Sequence, residues 1–172
     1  MIANELRQLV DHMEWADALI WHTVLSIPES HNDERTRKLL HHKHEVQLVY
    51  LQIWRGDTMN IPDLSSFNDL SSMHQWSRDG HTAIKKFIME LTPEKLEENV
   101  EFPWARLLTR KFGEVHPVTV RESILQVVMH STYHRGQINA HLRQLGGVPP
   151  LTDFIAWVWM GKPAAGWYGK GM

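Results

Sequence analysis

The 172-residue chain has the length and composition of one water-soluble globular domain. A hydrophobic fraction of 42% and a charged fraction of 22% exclude a disordered or fibrous protein. A formal net charge of −2 supplies no general positive field, so we expect neither a nucleic acid nor a membrane as partner. The absence of cysteine excludes disulfides, cysteine-ligated metals and a thiolate nucleophile of the chain's own. Twelve histidines and eight tryptophans are the unusual features of the composition.

The start of the chain, MIANELRQLVDHMEW, places acidic residues among apolar ones and lacks the basic-then-apolar order of a signal peptide. No uninterrupted apolar run is long enough to span a bilayer. From these two observations we expect a cytoplasmic protein.

The first half of the chain predicts two amphipathic helices. Apolar residues follow one another at steps of three and four from Leu6 to Val24, and Pro28 ends this first helix. A second helix is predicted from Asn32, as N-cap, to Gly56, as C-terminal stop. Its predicted apolar seam consists of Leu39, His42, Val46, Val49 and Ile53.

A third helix is predicted to begin near Ser66, where residues 66–69 resemble a capping box, and to end before Pro93. The segment from Thr92 to Pro117 contains three prolines and shows no sustained helical period. Residues 100–102 and 111–113 are candidates for short strands there. The segment is long for a loop, so we interpret it as a lid or binding loop.

The fourth helix has the clearest predicted start, a capping box from Thr119 to Glu122, and it runs to Leu145. A short apolar helix is predicted within residues 151–160, followed by a tail rich in glycine and proline. The sequence therefore predicts an all-α four-helix bundle with a short extra C-terminal helix. We expect a single domain over residues 1–160 and a C-terminal tail over residues 161–172.

A histidine pair on the fourth helix suggests a metal site. His130 and His134 are four residues apart, which places them on one helix face at a spacing that suits two imidazole ligands of one ion. A third ligand must come from another helix, and His42 is the histidine on the predicted seam of the second helix. The competing choices, His41 and His44, are rotated by about 100° and 200° from it and are expected to face solvent or a neighbouring helix.

Other features of the sequence limit the chemistry. His81 could approach the same cavity from the third helix. Residues 131–133, between the two histidines, contain no glutamate, so the pair is not a zinc-protease motif. The chain also lacks a glycine-rich phosphate loop after a strand and a serine in a nucleophile-elbow motif. These absences disfavour a metalloprotease, a phosphoryl-transfer enzyme and a serine hydrolase.

The run HSTYHRGQI at residues 130–138, continued by LRQLG at 142–146 and Asp153-Phe154, resembles the fourth helix of the DinB/YfiT-like family of metalloenzymes. The second helix is similar to that of the family at four positions, and the WAD stretch at residues 15–17 also resembles it. The four matching positions are His42, Gln47, Tyr50 and Gly56.

The resemblance implies a four-helix bundle, often dimeric, that holds zinc or nickel on His42, His130 and His134. Relatives include S-transferases and isomerases that use low-molecular-weight thiols such as bacillithiol or mycothiol, and many others have no assigned reaction. One hypothesis is therefore a metal-dependent thiol S-transferase, with a hydrolase as the other enzymatic option. A second is a non-catalytic metal-binding module for stress response or interaction, and a third is a metal-free bundle. The expected partners are a small-molecule thiol or electrophile and a second copy of the chain.

Residues beside the histidines have two interpretations. Tyr133 and Gln137 are either a proton donor and a ligand-orienting group or simple helix-packing residues, and packing is the favoured reading. We expect Arg135 to pair with a carboxylate and Gly136 to permit close helix approach. Arg106, in the long segment, is a candidate to hold a carboxylate of the thiol or acceptor.

Overall fold

The computed structural model describes residues 2–167, with side chains from residue 4 onward. Within this range the regular structure is helical except for one two-stranded antiparallel sheet. The elements are α1 (Ile2–Ser26), α2 (Glu34–Arg55), α3 (Leu70–Glu90), α4 (Pro93–Leu96), β1 (Asn99–Val100), α5 (Ala105–Phe112), β2 (Val118–Thr119), α6 (Val120–Gln144) and α7 (Phe154–Trp159). Single 3₁₀ turns lie at Pro28–Ser30 and Leu64–Ser66. The predicted all-α four-helix bundle is confirmed, with α7 as the extra helix.

The four long helices pack in a ring in which α1 and α2 each contact both α3 and α6. One apolar cluster joins the first half of α1 and α6 to the second half of α2 and α3. A second cluster joins the opposite halves of the same helices. The helices α1 and α6 therefore run in one direction, and α2 and α3 run in the other.

The starts of two helices differ slightly from the prediction. The N-cap of α2 is Asp33 rather than Asn32, because the Asp33 carboxylate accepts the backbone N–H three residues later. Likewise Asp69 caps α3, so Ser66 belongs to a preceding 3₁₀ turn and does not open a capping box. Gly56 ends α2 with a φ of 71°, the left-handed conformation that favours glycine.

The predicted capping box of α6 is present, with Thr119 and Glu122 exchanging hydrogen bonds. Asp153 occupies the N-cap position of α7. The predicted tail is described only to Trp167, whose indole Nε1–H donates to Glu14 at 3.0 Å. Residues 168–172 of that tail lie outside the described residues.

The segment predicted as irregular contains a helix that the sequence analysis missed. Val100 does lie in a strand and pairs with Val118, but residues 111–113 form the end of α5 and its cap rather than a strand. No side chain of α5 is buried. The segment is attached to α2 through the Tyr50 ring, whose centroid lies 4.9 Å from Phe102 and 5.7 Å from Trp104.

The predicted apolar seam of α2 was wrong. His42 is exposed, and the other four predicted seam residues are only half-buried. The buried face includes polar residues that a hydrophobic pattern does not count. It consists of Thr36, Leu40, His41, Lys43, His44, Gln47, Leu51 and Trp54.

These polar residues belong to a layer across the bundle between the two apolar clusters. All four long helices contribute to this buried polar layer. Its members are Asp17, Lys43, His44, Gln47, Ser77, His81, Ser131, His134 and Arg135. None of the helices formed by residues 2–167 has an apolar stretch long enough to cross a bilayer.

Candidate metal centre

Three histidines meet at the edge of the buried polar layer, where α2 packs against α6. The ring centroid of His134 lies 4.3 Å from that of His130 and 4.7 Å from that of His42. One ring nitrogen of each histidine lies within 4.8 Å of those of the other two. Side-chain rotations would be needed to bring these nitrogens to the distances at which imidazoles share one ion.

Two of these imidazoles carry buried nitrogens without a hydrogen bond. Among the described residues, neither His130 Nε2 nor His134 Nδ1 has a partner. An unpaired buried polar atom is costly, and a cation bound by both nitrogens would remove that cost. The His42 side chain is 49% exposed, with Nδ1 3.5 Å from a Glu45 carboxylate oxygen, so the cluster opens to solvent on the α2 side.

The surroundings favour neutral imidazoles, the form that binds metals. Burial lowers the pKa of His130, and the neighbouring His42 lowers it further. Burial also lowers the pKa of His134, with additional contributions from His130, His42 and Lys43, while a contact with Gln137 acts in the opposite direction. Protons therefore compete less for these two nitrogens than they would on free histidine.

A second group with metal-binding side chains, Asp17, His44 and His81, lies wholly inside the buried polar layer. Its carboxylate is already neutralised, since Asp17 Oδ1 lies 2.9 Å from Lys43 Nζ and accepts from Arg135 Nη1 at 3.2 Å. Burial opposes the charged form, but both cations and the His81 hydrogen bond hold the pKa of Asp17 well below its ordinary range. A further cation would be repelled by Lys43 and Arg135.

The nitrogens of His44 are also occupied. Trp21 Nε1–H donates to His44 Nε2 at 3.0 Å, which places the proton on Nδ1, and that group donates to Gln47 Oε1 at 2.8 Å. Burial and the nearby Lys43 hold the pKa of His44 well below its ordinary value. We conclude that this second group is a structural network, and that the exposed cluster is the candidate metal centre.

The structure brings together the three histidines named from the sequence, although one premise was wrong. His42 reaches the cluster from an exposed edge of α2, not from a buried seam. The competing His41 is held elsewhere, with Nε2 2.8 Å from the Pro62 carbonyl oxygen. His44 and His81 belong to the buried network.

Of the predictions for residues beside the three histidines, some are confirmed and others are wrong. Arg135 pairs with a carboxylate as predicted, that of Asp17. Gly136 does not permit a close approach within the described chain, because an added Cβ would meet nothing within 4 Å. Tyr133 is 64% exposed, with its ring edge-on to His134 at 5.2 Å, so it does not pack in the core. Arg106 is exposed on α5.

The sequence analysis missed the buried network behind the cluster. Lys43 gave no signal in a hydrophobic pattern, because a lysine interrupts an apolar face. His81 was considered only as a residue that could approach the histidine cavity, whereas its Nε2 lies 3.0 Å from Asp17 Oδ2 in the buried network. The WAD stretch at residues 15–17 was noticed only as a resemblance, yet it contains Asp17, the carboxylate at the centre of the network. The signal available in the sequence was Asp17 itself, an acidic residue on the otherwise apolar face of α1.

Fold and cluster together define a helical-bundle protein with three histidines gathered between two antiparallel helices. The family model of the DinB family matches residues 1–165, and the chain belongs to that family. Searches of curated proteins and of solved structures each found no match.

Proposed function

We propose that the protein binds one divalent cation, zinc or nickel, through His42, His130 and His134. We further propose that the protein is a thiol S-transferase that depends on this cation. The observation that carries the binding proposal is the pair of buried, unpartnered nitrogens on His130 and His134 beside a third imidazole. Membership of the DinB family supports it.

The chain's own residues fit the first steps of such a reaction. Three neutral ligands leave the charge of a cation undiminished, which favours the deprotonated form of a bound thiol or, for a hydrolase, of water. The exposed side of His42 leaves room for a cosubstrate, and Tyr133 stands at the rim beside His134. In the overall transfer the thiol loses its proton, its sulfur bonds to an electrophilic carbon, and the leaving group departs with the bonding electron pair.

Metal content tests the binding proposal. We expect protein purified without a metal-affinity tag to contain about one zinc or nickel per chain, and His134→Ala to lose it. His141→Ala is a matched control, because His141 lies on the same helix and is equally buried but binds Asp33 instead. Full metal content in His134→Ala would reject the assignment, as would equal loss in both variants.

Catalysis needs a separate test. The conjugation of a broad electrophile with several low-molecular-weight thiols would be measured for metal-loaded protein, metal-stripped protein and His130→Ala. We expect only the loaded wild-type protein to accelerate the reaction. Equal rates in all three would reject the S-transferase and leave a non-catalytic metal-binding module for stress response or interaction.

We also propose that the protein forms a homodimer. Large apolar side chains are exposed on both α6 and α7, with exposures of 67% at Met129, 51% at Ile155 and 79% at Trp159. Such side chains suit an interface core, and a second copy of the chain is the occupant that the family resemblance implies. A monomer mass by light scattering at tens of micromolar protein would reject the dimer.

A further inference from the structure

Each proposed metal ligand is followed in the chain by a buried polar residue. The ligands lie at the edge of the bundle, but their successors are almost completely inaccessible, with exposures of 0%, 0% and 2%. Consecutive helix residues point about 100° apart, so a ligand at the α2–α6 edge has a successor directed into the bundle. These successors are Lys43, Ser131 and Arg135.

All three successors are tied to one pair of side chains. Asp17, on α1, holds Lys43 Nζ at 2.9 Å and accepts from Arg135 Nη1 at 3.2 Å. Gln47 Nε2 donates both to Asp17 Oδ2 at 2.8 Å and to Ser131 Oγ at 2.9 Å. The helix α1, which supplies no ligand, is therefore linked to the residue that follows each ligand. The link is direct for Lys43 and Arg135 and passes through Gln47 for Ser131.

The ligand rings themselves lack the usual restraint. Metal-binding histidines commonly donate their second ring N–H to a carboxylate or carbonyl, which fixes the orientation of the ring. Among the described residues, His42 has such a neighbour in Glu45, at 3.5 Å, and His134 has a side-chain contact with Gln137, whereas no hydrogen-bond partner holds the His130 ring. The placement of the ligand rings, and of His130 above all, therefore depends strongly on the backbone that carries them.

We propose that Asp17 is a positioning residue for the metal centre, and that it sets the spacing of the three ligands through Lys43, Arg135 and Gln47. This inference rests on the proposed metal binding by the histidine cluster. Asp17 touches neither the cation nor a substrate, so its effect is on ligand geometry. Because two of its bonds are ion pairs inside the protein, Asp17 restrains α2 and α6 more strongly than a neutral hydrogen bond would.

The experiment compares Zn²⁺ affinity and the visible spectrum of the Co²⁺-loaded protein in three variants. Asp17→Asn removes the charge that holds Lys43 and Arg135. Ser131→Ala removes a single tie to Gln47 and perturbs the fold least. Ser123→Ala is the matched control, since Ser123 is equally buried on α6 and accepts from Trp54 Nε1 at 2.8 Å, away from the ligands.

We expect the Zn²⁺ dissociation constant to rise about 10- to 100-fold in Asp17→Asn, the range typical of lost outer-shell partners, and the Co²⁺ bands to shift. Ser131→Ala should show a smaller change in the same direction, and Ser123→Ala should show none. Unchanged affinity and spectrum in folded Asp17→Asn would overturn the proposal. If Asp17→Asn does not fold, the comparison of Ser131→Ala with Ser123→Ala decides. Equal Zn²⁺ affinity and equal Co²⁺ spectra in these two variants would overturn the proposal.

The two proposals fail in different ways. If the wild-type protein binds no Zn²⁺ or Co²⁺ at the histidines, the proposed function fails. If the wild-type protein binds both metals, and loses them in His134→Ala, but remains unaffected by Asp17→Asn and Ser131→Ala, only the positioning role of Asp17 is rejected.

Discussion

Because the charges inside the buried polar layer are not balanced, removing the anion and removing a cation should change the free energy of unfolding by different amounts. Asp17 carries one negative charge against the positive charges of Lys43 and Arg135, and all three side chains are 2% exposed or less. Lys43→Met removes one of two cations and leaves Asp17 paired with Arg135. Asp17→Asn instead leaves two uncompensated cations side by side in the protein interior.

We expect Asp17→Asn to lower the free energy of unfolding by about 3–5 kcal/mol, the cost typical of removing one partner of a buried ion pair. Lys43→Met, which replaces an ammonium group by an apolar end of similar size, should change it by only about 1 kcal/mol in either direction. The first loss is a large part of a usual total of about 5–15 kcal/mol.

Urea unfolding followed by tryptophan fluorescence measures both effects, and eight tryptophans provide the signal. With a slope of about 2 kcal/mol per molar urea, Asp17→Asn should lower the midpoint by about 2 M. Equal destabilisation by the two variants would refute the reasoning, because it would mean that Lys43 is needed for more than charge balance.

Four further outcomes are expected. Because the pKa values of His130 and His134 are lowered, Zn²⁺ affinity should change little from pH 8 to about 6.5 and fall at lower pH. Competition with a chromogenic chelator measures this affinity. A constant affinity down to pH 5 would contradict histidine ligation. Burial keeps His44 neutral in the folded state, so the unfolded chain binds more protons below about pH 6.5, and the free energy of unfolding should fall as the pH is lowered from there. Gly136→Ala should stabilise the protein by about 0.5–1 kcal/mol, as expected for an exposed helix interior. Gly147→Ala should destabilise the protein, because its Cβ would lie 2.1 Å from Cδ1 of the buried Ile27 and 3.2 Å from both Ile27 Cγ1 and the Leu142 carbonyl oxygen. Thermal unfolding measures both variants, and a destabilising Gly136→Ala would indicate an approach by another chain.

The architecture was predictable because most of the chain obeys simple rules. The apolar period of α1, the capping box that begins with Thr119 and the stop at Gly56 each follow from local chemistry, and the structure contains all three. The helix α5 was not predictable in the same way. Its side chains are exposed, so no buried face marks it, and the prolines around it indicated a loop.

The three histidines that lie together in the structure were named from the sequence by a partly incorrect argument. The pair His130 and His134 follows from helical spacing, and that reasoning is independent of burial. His42 was chosen because it continued an apolar period on α2, but the true buried face contains Lys43, His44 and Gln47 instead. Hydrophobic periodicity cannot reveal a face whose central turns are polar, because the partners that make those residues tolerable lie far away in the sequence.

The position of the buried polar layer has a consequence for how the helices align along the bundle axis. Apolar side chains lie on both sides of the layer, and their attraction for one another is not directional. The contacts of Asp17, by contrast, need particular partners at particular positions. A shift of α1 by one turn, about 5.4 Å, would carry its carboxylate into an apolar cluster and leave Lys43 and Arg135 without a counter-charge. The two ion pairs in the middle of the molecule therefore penalise a shifted axial alignment of α1 in a way that non-directional apolar contacts do not.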